Sequence, residues 1–123
     1  MEFSASEVQS VSEHEIVPFV LEQGNWIHFS FESVVGTRAS GGLRVDLDIT
    51  RGVFDVNIST RGPGSERTTS EKRYRWFSRG VTHSQVLSAD GAEEPKPTYF
   101  ISLFALAEAE ARVRIYEAPK GGK

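Results

Sequence analysis

Apolar and polar side chains alternate along most of this chain with a period of two, which is the spacing of side chains on a β-strand. The alternation is strictest over residues 43–49 and repeats over residues 53–59. Because only Thr50 to Gly52 separate these segments, they are predicted to form a hairpin with a short loop. The side of this hairpin that faces the core is predicted to carry Leu43, Val45, Leu47, Ile49, Phe54, Val56 and Ile58.

The remaining candidate strands are weaker or interrupted. The segment from Ile16 to Leu21 is apolar but contains Pro18, which cannot donate a ladder hydrogen bond, so it is predicted to be an edge strand or to carry a bulge. Residues 105–111 are rich in helix formers, and a short helix is the alternative there. The other segments with strand periodicity are residues 26–32, 72–79, 81–87, 98–105 and 111–116.

Eight candidate strands separated by turn residues predict one all-β domain, an antiparallel β-sandwich or jelly roll of about eight strands. A closed barrel is the alternative architecture. The domain is predicted to occupy residues 15–117, between flexible tails over residues 1–14 and 118–123. A chain of 123 residues has the usual size of a single domain.

Charge and composition narrow the functional classes. The formal net charge is −3, so the chain lacks the global positive charge of nonspecific nucleic-acid binders, and nucleic acid is not the favoured partner. The absence of cysteine excludes disulfides, thiolate metal sites and thiol nucleophiles. No segment is apolar for the length of a membrane span, and the first residues do not resemble a signal peptide. The chain as given is therefore predicted to be cytoplasmic, or secreted if it is a domain of a longer protein.

Three aspartates form the first candidate site. If the two strictest strands pair as a hairpin, Asp46, Asp48 and Asp55 lie on its outward face, with Asn57 beside them. Calcium takes six to eight oxygen ligands of this kind. The favoured interpretation is nevertheless a solvated sheet face, because calcium ligands usually lie on loops and the spacing of a calcium-binding loop is absent.

A basic and aromatic stretch from Arg61 to Arg79 is the second candidate. It holds six bases and two acids, interleaved with aromatic residues. Arginine, tryptophan and tyrosine dominate binding hot spots, so this stretch is predicted to contact a protein partner. The residues predicted to form the contact are Arg73, Arg75, Trp76 and Arg79.

Nothing in the sequence predicts an active site. The histidines, at positions 14, 28 and 83, lack the spacing of a metal pair, and a strand histidine such as His28 is most often a surface group. The chain contains no G-x-S-x-G motif, in which a strained turn would present a serine nucleophile. The protein is therefore predicted not to be an enzyme.

Four short segments, taken in order, resemble the pre-peptidase C-terminal β-sandwich modules attached to secreted bacterial proteases. In that family an aromatic strand and a strand of alternating aliphatics precede a G-D-x-D-L-Y-V-like strand and a T-Y-Y-I-x-V-like strand. Asp55 matches the second aspartate of the third motif, but Val53 replaces the first, which weakens the calcium site that the resemblance implies. The matching segments are WIHFSF, LRVDLDI, GVFDVNI and TYFISLFA.

The C-terminal part TYFISLFALAEAEARVRIYE is also similar to the end of the third, β-sandwich domain of calpains. Both resemblances imply an accessory module. The favoured hypothesis is a non-catalytic protein-interaction module, which binds through a sheet face, the Pro18 edge strand or the basic stretch. The alternative is a module for calcium or carbohydrate, with Trp26 and Tyr116 as outward aromatic residues for a sugar. No cofactor is predicted apart from calcium in that alternative.

Overall fold

The computed structural model describes residues 8–60 and 76–120, and within these ranges the chain is all-β, as predicted. The described ranges contain no helix, so none that could span a membrane. The alternative helix over residues 105–111 is wrong, because these residues continue a strand. The strands are β1 (Val8–Ser10), β2 (Ile16–Leu21), β3 (Trp26–Glu32), β4 (Ser40–Ser59), β5 (Trp76–Val81), β6 (Gln85–Ala89) and β7 (Thr98–Pro119).

Two long strands, β4 and β7, organise the whole fold. They comprise 20 and 22 residues and pair with each other in antiparallel fashion from Ser40↔Pro119 to Ser59↔Phe100. Layer I is formed by β1, β3, the first half of β7, the second half of β4, and β5. Layer II is formed by β2, the second half of β7, the first half of β4, and β6. All described pairings are antiparallel except the parallel pairing of β1 with β3.

The two layers pack face to face as a sandwich. The ring of Phe19 in layer II makes edge contacts with Phe29 and Phe54 in layer I, at centroid distances of 5.8 and 5.7 Å. The predicted inward side chains of the two strictest segments are buried, apart from Ile49, which is partly buried. The core predicted from the period-two pattern is therefore confirmed.

The predicted hairpin is wrong, because residues 43–49 and 53–59 are consecutive parts of β4. The register with β7 shifts between Ile49 and Phe54, so the strand bends there and passes from layer II to layer I. Gly52 lies at the bend with φ +107, and a Cβ there would be 2.5 Å from the Cα of Ala109 and 2.9 Å from the carbonyl oxygen of Glu108. The short polar segment that predicted a turn therefore forms a bulge against β7.

The edges and termini differ in part from their predictions. Within the described residues β2 pairs with β7 alone, which confirms the edge strand expected from Pro18. Residues 8–14, assigned by sequence to a tail, belong to the fold, since β1 pairs with β3 and the amide of His14 donates to the carbonyl of Ile115 (2.9 Å). At the other end, β7 continues to Pro119.

The buried phenol of Tyr99 predicts a loss of stability at high pH. Burial, with a further contribution from the charge of Glu117, raises the pKa of Tyr99 from 10.0 to about 12. The unfolded chain releases this proton near pH 10 while the folded protein keeps it. Stability is therefore intact below pH 10 and falls towards pH 12, by roughly 2–3 kcal/mol in total. Urea unfolding at about pH 9 and pH 11.5 measures this loss, and an equal loss in Tyr99→Phe would contradict the assignment.

Candidate binding surfaces

The outer face of layer II is a ladder of ion pairs between β4 and β7. The strand register places Asp46 opposite Arg114 and Asp48 opposite Arg112. Arg114 Nη2 donates to Asp46 Oδ2 at 3.3 Å, and Arg112 Nη2 donates to Asp48 Oδ2. The hydrogen bond from Arg112, followed by one from Ser84, lowers the pKa of Asp48 below its ordinary value. Both carboxylates on this face therefore already have a cationic partner.

Asp55 is separated from these two aspartates, because β4 continues across the bend instead of turning back. It lies in layer I, where Oδ1 accepts a hydrogen bond from the amide of Gly80 (2.9 Å) and Oδ2 lies 4.0 Å from Arg79 Nη1. Within residues 8–60 and 76–120 no three histidine, aspartate or glutamate side chains form a group that could hold a metal ion. The structure does not bring the three aspartates together, and calcium binding by them stays a prediction from sequence.

The basic and aromatic stretch is described only in its last residues, because Arg73 and Arg75 lie outside the described ranges. Trp76 opens β5 and is half-buried. Its Nε1 donates to the carbonyl of Asp90 (3.2 Å), and its ring lies 6.4 Å from that of Tyr99. Trp76 therefore anchors β5 to the rest of the domain through its ring and its indole nitrogen.

Phe77 and Arg79 form an exposed pair on β5. Successive strand residues face opposite sides, so Phe77 points outward where Trp76 points towards the core. The side chain of Arg79 is 66% exposed and Phe77 is 52% exposed. The guanidinium carbon of Arg79 lies 5.1 Å from the centroid of the Phe77 ring, within cation–π range. The structure thus presents Phe77, which sequence reasoning did not select, beside the selected Arg79.

The outward aromatic residues proposed for carbohydrate each pack against two neighbours. Trp26 stacks on His28 at 5.8 Å between ring centroids and contacts Phe104 at 4.9 Å. Tyr116 stacks on His14 at 5.1 Å, and the guanidinium of Arg114 lies 4.8 Å from its ring centroid. Both aromatic side chains are engaged within the fold, and carbohydrate binding by them stays a prediction from sequence.

His28 is buried, so its interpretation as a surface group is wrong. The imidazole Nδ1 lies 2.7 Å from the hydroxyl oxygen of Ser102, which the β3–β7 register places directly opposite. Both side chains are buried, and the hydrogen bond compensates for the cost of burying two polar groups. The pair therefore stabilises the pairing of β3 with β7.

A loop that carries two exposed valines lies at one end of the sandwich. Val34 and Val35 follow β3 and are each 52% exposed. The carboxylate of Glu117 accepts hydrogen bonds from the hydroxyl of Ser33 (2.5 Å) and from the amides of Val34 (2.9 Å) and Val35 (3.1 Å). Sequence reasoning missed this arrangement, because Glu117 is 84 positions away from Ser33 and no local pattern connects them.

The fold defines the class of domain, a β-sandwich like that of the pre-peptidase C-terminal modules. In a comparison with solved structures, the pre-peptidase C-terminal domain of collagenase from Bacillus anthracis matches with a TM-score of 0.59. The match covers 93% of this chain and 99% of that domain at 8% sequence identity, so it shows the fold alone. No protein-family model matches the sequence, and no curated protein matches it significantly. The resemblance noted from the strand motifs is confirmed for the fold.

Proposed function

We propose that this domain is a non-catalytic accessory module that binds a protein partner through the Phe77–Arg79 pair on β5. The observation that carries the proposal is the exposure of both side chains in a preformed cation–π contact. The matching structure is itself one domain of a collagenase, which supports an accessory role by analogy of fold.

The pair has the chemistry of an interaction hot spot. An aromatic ring supplies apolar area with few rotatable bonds, and arginine supplies charge with directional donors. Asp55 contacts both Arg79 and the amide of Gly80, so it restrains the segment that carries the pair before any partner arrives. A restrained pair loses less conformational entropy on binding than two free side chains.

The edge position of β5 adds a second means of contact. Within the described residues β5 pairs with β4 alone, so it is an edge strand of layer I. Addition of a strand at such an edge combines main-chain hydrogen bonds with side-chain contacts. Phe77 and Arg79 would then supply the specificity of that contact.

Affinity capture with the domain as bait tests the proposal. Phe77→Ala and Arg79→Glu are each expected to lower the recovery of specifically bound proteins from extracts of the source organism at least tenfold, as hot-spot substitutions do. Matched controls are Val86→Ala, at an exposed apolar position on β6, and Arg38→Glu, at an exposed cation after β3. Both controls should retain the proteins that wild type captures. Unchanged recovery with Phe77→Ala would contradict the proposal.

A further inference from the structure

The β2 strand combines an apolar sequence with an outer edge that pairs with no other strand among residues 8–60 and 76–120. Its six residues, IVPFVL, are all apolar. Within the described part of the chain β2 pairs with β7 alone, and Val17, Phe19 and Leu21 face the core. The outward side chains of Ile16 and Val20 are 60% and 61% exposed. An apolar edge of this kind is a template for pairing with another strand.

The geometry of β2 is suited to pairing with a second copy of itself. In an antiparallel pair centred on residue 18, Ile16 of each copy would lie opposite Val20 of the other. Cross-strand pairs of aliphatic side chains stabilise a sheet, and this register would bring the exposed side chains of the two copies into contact. Apart from Pro18, the side chains of β2 therefore favour a symmetric dimer that extends layer II across two molecules.

The charges beside β2 would not prevent that dimer. The outward residues of β7 that neighbour the strand change from acidic to basic along it, from Glu110, opposite Val20, to Arg114, opposite Ile16. A twofold axis at residue 18 reverses this order in the second copy. Acidic and basic ends would therefore lie across from each other, so electrostatic repulsion does not keep the copies apart.

We propose that Pro18 keeps the β2 edge from pairing with a second copy of this chain. Proline has no amide proton, and it lies at the centre of the register that would join the two exposed aliphatic pairs. At the twofold axis, Pro18 of one copy would lie opposite Pro18 of the other. This central pair would therefore lack both of its main-chain hydrogen bonds. Proline is accepted in β2 itself because an edge strand can leave that position without a ladder bond.

This role is opposite to the one that the sequence predicts for the same strand. The apolar run suggests an edge that is open to strand addition, whereas the symmetric register places the proline where it interrupts such a pairing. The β5 edge, in contrast, carries no proline within Trp76–Val81. The edge strands β2 and β5 would therefore differ in their capacity for pairing.

Light scattering after size-exclusion chromatography of the full chain tests the proposal. Wild type is expected to be monomeric up to about 200 µM. Pro18→Val, which suits a strand and restores the amide, is expected to dimerise at least tenfold more tightly than wild type. Adding Val20→Lys to Pro18→Val places a charge in the new interface and should restore the monomer. Urea unfolding of each variant verifies that the domain is folded.

Every outcome bears on the proposal. A Pro18→Val protein with the mass of a monomer at the highest concentration overturns it, and so does a wild-type protein that already dimerises through β2. If Pro18→Val precipitates, solubility restored by Val20→Lys supports uncontrolled pairing of the edge, whereas precipitation that Val20→Lys leaves unchanged counts against it. These results do not depend on the β5 contact, so the two proposals can fail separately.

Discussion

Replacing Gly52 by alanine is expected to destabilise the domain by about 2–5 kcal/mol, because two costs combine at this position. With φ at +107, Gly52 has a backbone conformation that side-chain-bearing residues rarely adopt. The new methyl group would also meet the backbone of β7 at Ala109 Cα, 2.5 Å away, so β4 and β7 would have to separate at the bend. Urea unfolding followed by tryptophan fluorescence measures the change.

Gly24→Ala is the matched control for this prediction. Gly24 also has a positive φ, +86, but a Cβ there meets nothing within 4 Å. Gly24→Ala therefore measures the backbone strain alone, without a contact with β7. It is expected to lower the free energy of unfolding by about 1–2 kcal/mol. Equal costs at the two glycines would show that the approach of β7 contributes nothing. Adding Ala109→Gly to Gly52→Ala should recover part of the loss.

Phe54→Ala is expected to cost about 3–5 kcal/mol, the range for a fully buried phenylalanine. The side chain of Phe54 is 0% exposed and contacts the ring of Phe19 across the interface between the layers. Since Phe19 also contacts Phe29, removal of the Phe54 ring leaves a cavity. The neighbouring side chains can fill that cavity only by losing other contacts. The midpoint of urea unfolding should fall without a change in its slope.

Two further variants provide reference values for the stability loss expected with Phe54→Ala. Phe54→Leu keeps most of the apolar volume and should cost less than Phe54→Ala. Phe77→Ala removes the same ring from an exposed position and should change stability by less than about 1 kcal/mol. A loss below about 1.5 kcal/mol for Phe54→Ala would contradict the placement of this ring in the core between the layers.

The core and the fold class could be predicted from the sequence because both depend on the period of two. The burial of Leu43, Val45 and Leu47 can be predicted once one face of the strand is known to be covered, whichever strand is its partner. The edge position of β2 could be predicted for a similar reason. Proline lacks an amide proton in every context, so Pro18 excludes a central strand before any partner is known.

Connections between strands could not be predicted in the same way. Thr50 to Gly52 has the composition of a turn, and only the continuous pairing with β7 makes it a bulge within one strand. The same pairing overrides the helix propensity of the alanine-rich segment 105–111, because ladder bonds and burial outweigh differences of a few tenths of a kcal/mol per residue. Both errors arose because the decisive contacts join residues that are distant in sequence.

The candidate sites depended on those connections and therefore changed most. The cluster of Asp46, Asp48 and Asp55 required a hairpin, and without it the carboxylates are divided between the two layers. Phe77 became the candidate aromatic anchor because the alternation along β5 turns Trp76 inward. The hydrogen bonds of Glu117 with residues 33–35 have no signature in either segment alone.

The pairing of β4 with β7 also determines how this chain can fold. The central ladder joins residues that are 41 positions apart at one end, Ser59 and Phe100, and 79 apart at the other, Ser40 and Pro119. Neither layer can be completed before that ladder exists. Closing a loop of this length costs conformational entropy before any ladder contact forms to offset it. Proteins dominated by such distant contacts fold in milliseconds to seconds. Because each layer contains half of both long strands, neither is an independent folding unit, and the sandwich should assemble in one slow, cooperative step.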